Sequence, residues 1–145
     1  MSLLAQAERF FWALNAHDLD EVVAAINPSA NIHTPIGSFT GGEAYREWML
    51  MHLRAMPDFT HEIRGIAVES DRAIAFELHA TGTMTGPLAM PSGDIPPTGR
   101  SIDISASDFW QFEDGLIALV PPLLRSTRLL WAAWSVSYHL SLVLR

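Results

Sequence analysis

The chain has 145 residues, 49% of them hydrophobic, which is enough to bury one core without disulfides or metals. It contains no cysteine, which excludes disulfides, thiol catalysis and cysteine-ligated metal sites. The formal net charge of -7 argues against nucleic acid and anionic membrane surfaces as partners. The first residues lack a basic stretch followed by a long apolar run, so we expect a cytoplasmic protein.

Hydrophobic periodicity predicts three helices in the first third of the chain. Apolar residues recur at helical spacing from Leu3 to Leu14. Asp18, with a glutamate three residues later, forms a capping box for a second helix that stops at Asn27-Pro28. A short strand is predicted from Ala30 to Thr34, and a third helix from about Glu43 to Met56.

Beyond the third helix the period changes to two, which predicts strands. Two paired strands are expected from Phe59 to Glu69 and from Arg72 to Gly82. A loop rich in proline and glycine follows, and then a long strand from Ser101 to Glu113. An Asp-Gly turn leads into another strand at Leu116. Helices followed by antiparallel strands predict one α+β domain. In the strand from Arg72 to Gly82, the predicted core face consists of Ile74, Phe76, Leu78 and Ala80.

Six segments occur in an order and spacing that resembles the SnoaL-like polyketide cyclases, an ester-cyclase-type family of the nuclear transport factor 2-like superfamily. The segments are Ile32-His33-Thr34-Pro35, Gly41-Gly42-Glu43-Ala44-Tyr45, Met56-Pro57-Asp58-Phe59, Gly82-Thr83-Met84-Thr85-Gly86, Pro96-Pro97-Thr98-Gly99-Arg100 and Asp108-Phe109-Trp110-Gln111-Phe112-Glu113-Asp114-Gly115-Leu116-Ile117. The resemblance covers residues 3 to 118, and we assign residues 1–118 to this domain. It implies a cone-shaped α+β barrel, in which a curved antiparallel sheet wraps around the N-terminal helices and encloses one apolar pocket. It also implies a homodimer.

The resemblance further implies general acid/base chemistry of the aldol, isomerase or lyase type on a hydrophobic carbonyl compound, with no metal or organic cofactor. The family's acid/base is an aspartate eight residues beyond the Asp of the Asp-Gly turn, and that position here is Pro122. A glutamine and a histidine of the family's pocket fall on Ala106 and Asp108. The alternative is a non-catalytic ligand-binding or dimerisation module on the same fold.

Two residues are candidates for catalysis. Asp108 shares a predicted strand face with apolar Ile104, Ala106 and Trp110, which would raise the pKa of its carboxyl toward neutrality. A buried aspartate with a structural role is the alternative. His33 precedes Pro35 near the expected pocket mouth and could move protons at neutral pH, or could simply be a packed or surface histidine.

Large apolar side chains are the candidates for substrate binding, since ligand pockets are usually lined by them. Ordinary core packing is the alternative for each one. Another polar pair, Glu77 and His79, lies opposite the predicted core face and is expected on the solvent or dimer side. The histidines show no zinc-type spacing. The predicted substrate-binding residues are Trp12, Trp48, Met51, Met84 and Trp110.

The last 27 residues, 119–145, differ in composition from the rest of the chain. All sixteen acidic residues lie at or before Asp114, whereas residues 119–145 carry three arginines and no acid. Codon degeneracy allows Leu119 to Arg125 to be read one nucleotide later as Trp-Tyr-His-Leu-Tyr-Phe, which resembles the usual ending of the family. We therefore hypothesise that residues from about Leu119 onward are a frameshifted ending; the alternative is a final strand and helix packed on the core.

Overall fold

Six strands form one curved sheet, and three helices pack against one of its faces in the computed structural model, which describes residues 1–34 and 37–121. The sheet order is β2-β1-β6-β5-β4-β3, and all neighbours are antiparallel except β1 and β6. This confirms the expected cone-shaped α+β fold. The elements are α1 (Leu3–Asn15), α2 (Leu19–Ala24), β1 (Ile26–Thr34), β2 (Gly37–Thr40), α3 (Gly41–Ala55), β3 (Thr60–Glu69), β4 (Ala73–Thr83), β5 (Ser101–Glu113) and β6 (Leu116–Val120).

The first helix begins where two side chains satisfy its free N–H groups. Ser2 Oγ accepts a hydrogen bond from the Ala5 N–H at 3.1 Å. Glu69 Oε1, from the end of β3, accepts from the N–H groups of Leu3 at 2.9 Å and Leu4 at 3.3 Å. The Glu69 carboxylate also lies at the positive end of the helix dipole, so it fixes α1 on the sheet.

The second helix starts as predicted but ends earlier. The Asp18 side chain accepts from the Glu21 N–H at 3.1 Å, which is the expected cap. The helix ends at Ala24, however, and β1 begins at Ile26 rather than at Ala30. Pro28 lies where the pairing of β1 with β6 shifts register, and a proline is tolerated there because no ladder donor is required.

A hairpin that was not predicted precedes the third helix. Strand β2 pairs antiparallel with β1, from Asn31 opposite Thr40 to Thr34 opposite Gly37. The third helix then begins at Gly41, whose φ is +81°. A Cβ atom on Gly41 would lie 2.7 Å from the Pro28 carbonyl oxygen, so only glycine allows α3 to start this close to β1.

The strands predicted from alternation agree with the sheet. β5 has the predicted bounds, and β4 pairs with it along its whole length, from Ala73 opposite Gln111 to Thr83 opposite Ser101. Ile74 and Phe76 are almost fully buried under the helices, as expected for the core face of β4. In the described part of the chain, no helix has the length and apolar character needed to cross a membrane.

Candidate active site

Asp108 lies on the face of the sheet that the helices cover. In the β4–β5 register it is opposite Phe76, and the adjacent same-face pair is Ile74 with Trp110. Burial raises the pKa of the Asp108 carboxyl to about 6, and hydrogen bonding from the Trp110 side chain partly offsets this rise. The carboxyl therefore exchanges its proton near neutral pH, as a general acid or base requires.

Tyr45 of α3 is near enough to this carboxyl for the two groups to interact electrostatically. Burial raises the pKa of the Tyr45 hydroxyl well above its ordinary value, and the negative charge of Asp108 raises it further. Tyr45 consequently stays protonated and can donate a hydrogen bond beside Asp108. Such a donor can stabilise an oxyanion that forms during a reaction.

Aromatic rings from α1, α3 and the sheet surround this pair. Phe10 of α1 joins the two sides, since its ring centroid is 5.6 Å from Tyr45 and 5.0 Å from Trp110. Trp110 is 5.0 Å from Phe76 and 5.3 Å from Phe11. The environment of the Asp108 carboxyl is thus apolar and aromatic, which accounts for its raised pKa.

The aromatic contacts continue along α3 to two histidines. Trp48 contacts both Tyr45, at 5.5 Å between ring centroids, and His52, at 4.4 Å. His52 stacks on Phe59 at 5.9 Å, and Phe59 meets His61 of β3 at 4.4 Å. This run of ring contacts therefore leads from Tyr45 to a second group of polar side chains, which consists of His52 and His61.

Both histidines favour the neutral form. Burial, with a smaller effect of the nearby His52, lowers the pKa of His61 to about 4. Burial also lowers the pKa of His52, although a hydrogen bond to the Trp48 carbonyl opposes this effect. In that 2.8 Å bond His52 Nδ1 must be the donor, because a carbonyl only accepts, so His52 Nε2 is left as an acceptor.

The structure brings some of the predicted substrate-binding residues together and leaves one outside. Trp48 and Trp110 belong to the aromatic cluster, Met51 packs partly buried against the core, and Met84 is buried beyond the end of β4. Trp12 is different, because 71% of its surface is exposed on the outer face of α1. Its position gives it no contact with Asp108.

His33 is not brought to Asp108 either. It follows the buried residue Ile32 in β1, so strand alternation directs its side chain to the opposite face of the sheet. There His33 Nδ1 lies 2.6 Å from Ser38 Oγ of β2. The two predicted catalytic residues thus lie on different faces of the sheet.

Asp108 lines neither of two concavities on the surface of the described residues. One, of about 260 Å³, lies between α1 and α2 and includes Phe10, which also contacts the aromatic cluster. The other, of about 250 Å³, lies over β3, β4 and β5 beside Arg64 and Glu77. In residues 1–34 and 37–121, no three histidine or acidic side chains are close enough to hold a metal ion.

Sequence reasoning did not identify Tyr45, His52 and His61 as site residues. Tyr45, Trp48 and His52 recur at helical spacing, so the sequence does indicate that they share one face of α3. The signal for His61 was weaker, because its link to His52 runs through the Phe59 ring and depends on how α3 packs in the fold.

Comparison with known proteins agrees with this architecture. The family model for the SnoaL-like domain matches residues 7–120. A SnoaL-like polyketide cyclase from Agrobacterium tumefaciens superposes with a TM-score of 0.68 at 21% identity, over 83% of this chain and 88% of that one. TsrD from Streptomyces laurentii superposes with a TM-score of 0.68 at 23% identity, over 82% and 84% of the two chains. At these identities the superpositions show a shared fold, and the match to the family model shows that this chain belongs to the SnoaL-like family.

Proposed function

We propose that this chain is a cofactor-independent acid/base enzyme of the SnoaL-like family, with Asp108 as the group that moves a proton on a hydrophobic carbonyl compound. The observation that carries the proposal is the Asp108 carboxyl, which faces the helices among aromatic rings and has a pKa of about 6. Near neutral pH its carboxylate can take a proton, and its acid form can return one.

The proposed step is proton abstraction from the carbon beside the carbonyl group. The C–H bond breaks, its proton moves to the Asp108 carboxylate, and its electron pair shifts to the carbonyl oxygen as an enolate. The Tyr45 hydroxyl, which stays protonated, supplies a hydrogen bond to that oxygen. Return of the proton to another carbon completes an isomerisation. Alternatively, the enolate carbon attacks a second carbonyl, whose π electrons move to its oxygen, and the resulting alkoxide takes the proton back from Asp108, which completes an aldol ring closure.

Deuterium exchange into a hydrophobic ketone tests this step without knowledge of the natural substrate. We expect the protein to accelerate exchange at the carbons beside the carbonyl of 2-tetralone in D2O, measured by NMR. The rate should rise with pH, reach half of its maximum at about pH 6 and level off about one pH unit higher, because the ionised form of Asp108 is the base. Asp108→Asn keeps the shape of the side chain but removes the base, and should lower the rate about 100-fold or more.

Asp71→Asn is the matched control, because Asp71 is an exposed aspartate in the turn between β3 and β4. This variant should exchange deuterium at the native rate. Native-like exchange by Asp108→Asn would exclude Asp108 as the base.

A non-catalytic binding module is the second candidate, and one observation favours it. The family's acid/base position is Pro122 in this chain, a residue outside the described part of the structure. Binding of 2-tetralone by the native protein in calorimetry, without any exchange, would support this second function and contradict the first.

A further inference from the structure

A largely buried histidine ring that the proposed mechanism does not use lies where the first helix meets the edge of the sheet. In the described residues β3 pairs only with β4, so its other side has no neighbouring strand. Asn15, the last residue of α1, takes the place of a strand there. Its side chain donates to the His61 carbonyl oxygen and accepts from the His61 N–H, each at 2.8 Å. These two bonds tie the C-terminal end of α1 to β3.

The His61 ring also joins α1 to the aromatic contacts of α3. The Phe11 ring of α1 is stacked on it, with 5.7 Å between centroids and 23° between ring planes, and the Phe59 ring approaches to 4.4 Å. Phe59 in turn stacks on His52 of α3 at 5.9 Å. The side chains that hold the end of α1 in place therefore surround the His61 imidazole.

The packed position of this ring suits only its neutral form. Within the described residues, His61 Nδ1 is buried and has no hydrogen-bond partner. An imidazole that gains a proton carries a hydrogen on both nitrogens, so Nδ1 would become a charged donor without an acceptor. Burial of an unpaired charge is among the largest costs in a folded protein, so protonation of His61 disfavours this packing.

The charged groups near His61 in the described structure do not compensate a positive charge on its ring. On the face of α1 that contacts His61, the charged residue is Glu8, whose side chain is exposed. The residue opposite His61 in β4 is the uncharged Ala80, and Glu62, the next residue of β3, forms an exposed ion pair. Burial and the nearby His52 of α3 act on the pKa of His61, and both lower it, to about 4.

We propose that His61 is an acid-sensitive latch, whose neutral ring keeps the C-terminal end of α1 on β3 and whose protonation releases that end from the sheet. Phe10 and Phe11 of α1 contact Trp110 at 5.0 and 5.3 Å between ring centroids. Asp108 lies on the same face of the sheet, so release of α1 loosens the cover over it. This effect on the site rests on the proposed function, whereas the latch itself is independent of catalysis.

The pH range of the latch follows from the two environments of the ring. In the closed latch His61 stays neutral down to about pH 4, whereas a released ring has the ordinary pKa of 6.5. Between these values the released form binds the proton more tightly. The closed form is therefore most stable above about pH 6.5 and loses stability as the pH falls toward 4. The buried Asp108 carboxyl has the opposite effect, because its raised pKa favours the covered state in acid.

Hydrogen exchange of the His61 amide in the full-length protein, measured by NMR, tests the proposal. This N–H donates to Asn15 Oδ1 and is freed when the latch opens. Its protection, relative to a free amide at the same pH, should fall about 25-fold between pH 7.5 and pH 5 from the His61 proton alone. Equal protection at the two pH values would overturn the proposal. An equal fall for the amide of Phe76, in the buried centre of the sheet, would also overturn it, because the whole chain would then be unfolding.

Variants assign the pH response to one ring. His61→Phe keeps an aromatic ring between Phe11 and Phe59 but takes up no proton, so it should reduce the fall at the residue 61 amide to less than about threefold. His17→Asn is the matched control and should keep the full fall, because His17 is exposed in the turn after α1 and its φ of +59° suits asparagine. Asp108→Asn removes the opposing carboxyl and should show a fall at least as large, whether or not Asp108 is the catalytic base. Retention of the full fall by His61→Phe would contradict the latch.

Discussion

Burial of the Asp108 carboxyl has a consequence for stability as well as for catalysis. Its pKa is about 6 in the folded chain and close to the ordinary value of 3.8 when unfolded. Between these values the folded state holds the proton more tightly than the unfolded state. The free energy of unfolding contributed by this group therefore falls as pH rises from about 4 to about 6, and is constant above.

Asp108→Asn should remove this pH dependence and stabilise the protein at higher pH. The ionised carboxyl costs the folded state about 2 kcal/mol at pH 7.5, less than the full displacement implies because the residue remains partly exposed. Urea unfolding of both proteins at pH 4 and pH 7.5 measures the effect. A constant difference between them at both pH values would show that the carboxyl is not shifted.

The position of Asp108 could be predicted from the sequence, whereas the ring contacts that link Trp48, His52 and His61 could not. Alternation along β5 is enough to place Asp108 on the same face as Trp110, and the sheet has that register. His61 and Trp48 are linked only through the rings of His52 and Phe59, and these rings meet because of where α3 packs in the fold. That packing depends on the close approach of α3 and α2, where a Cβ on Gly42 would lie 2.9 Å from the Val23 carbonyl oxygen.

At the scale of elements, the contact between Glu69 and α1 connects the last residue of β3 to the start of the first helix. Glu69→Ala removes two charge-assisted hydrogen bonds to Leu3 and Leu4 and should lower the free energy of unfolding by about 1–2 kcal/mol. Glu62→Ala on the same strand is the control, because Glu62 forms only an exposed ion pair with Arg64. Equal unfolding midpoints in urea for the two variants would contradict the capping role.

The strands that were predicted well are those with one buried and one exposed face. β4 and β5 alternate clearly, so their bounds followed from the period. The start of β1 was missed because Asn27 and Pro28 resemble a helix stop followed by a turn. The bulge that admits Pro28 depends on pairing with β6, which is distant in sequence.

The face of the sheet opposite the helices carries small and polar side chains, and we propose that it forms a homodimer interface. Ala73 and Ala75 are partly buried there, and the His79 side chain is only 12% exposed beside Asp103. Light scattering at micromolar concentration should therefore show a dimer. Ala75→Arg should give a folded monomer, because a long charged side chain would keep two such faces apart. A native monomer would contradict the proposal.

At the scale of the whole molecule, β6 pairs with only the C-terminal part of β5. The last pair in the β5–β6 register is Gln111 with Leu119, and β6 ends at Val120. In the described residues, β5 from Ser101 to Asp108 is therefore paired only with β4. In a chain whose last strand continued in this register, position 122 would lie opposite Asp108.

Position 122 is also where the family resemblance expects its acid/base aspartate. It lies within residues 119–145, the part of the chain whose composition differs from the rest. We propose that the reading frame shifts at about Leu119, and that the restored chain continues β6 past position 120. Resequencing the gene tests the genetic claim, and codons that do not permit the shifted reading would exclude it. The restored chain should unfold at higher urea concentration, because an extended β6 would pair with β5 between Ser101 and Asp108. Equal unfolding midpoints for the restored and the present chain would show that residues 119–145 already serve the fold as they stand.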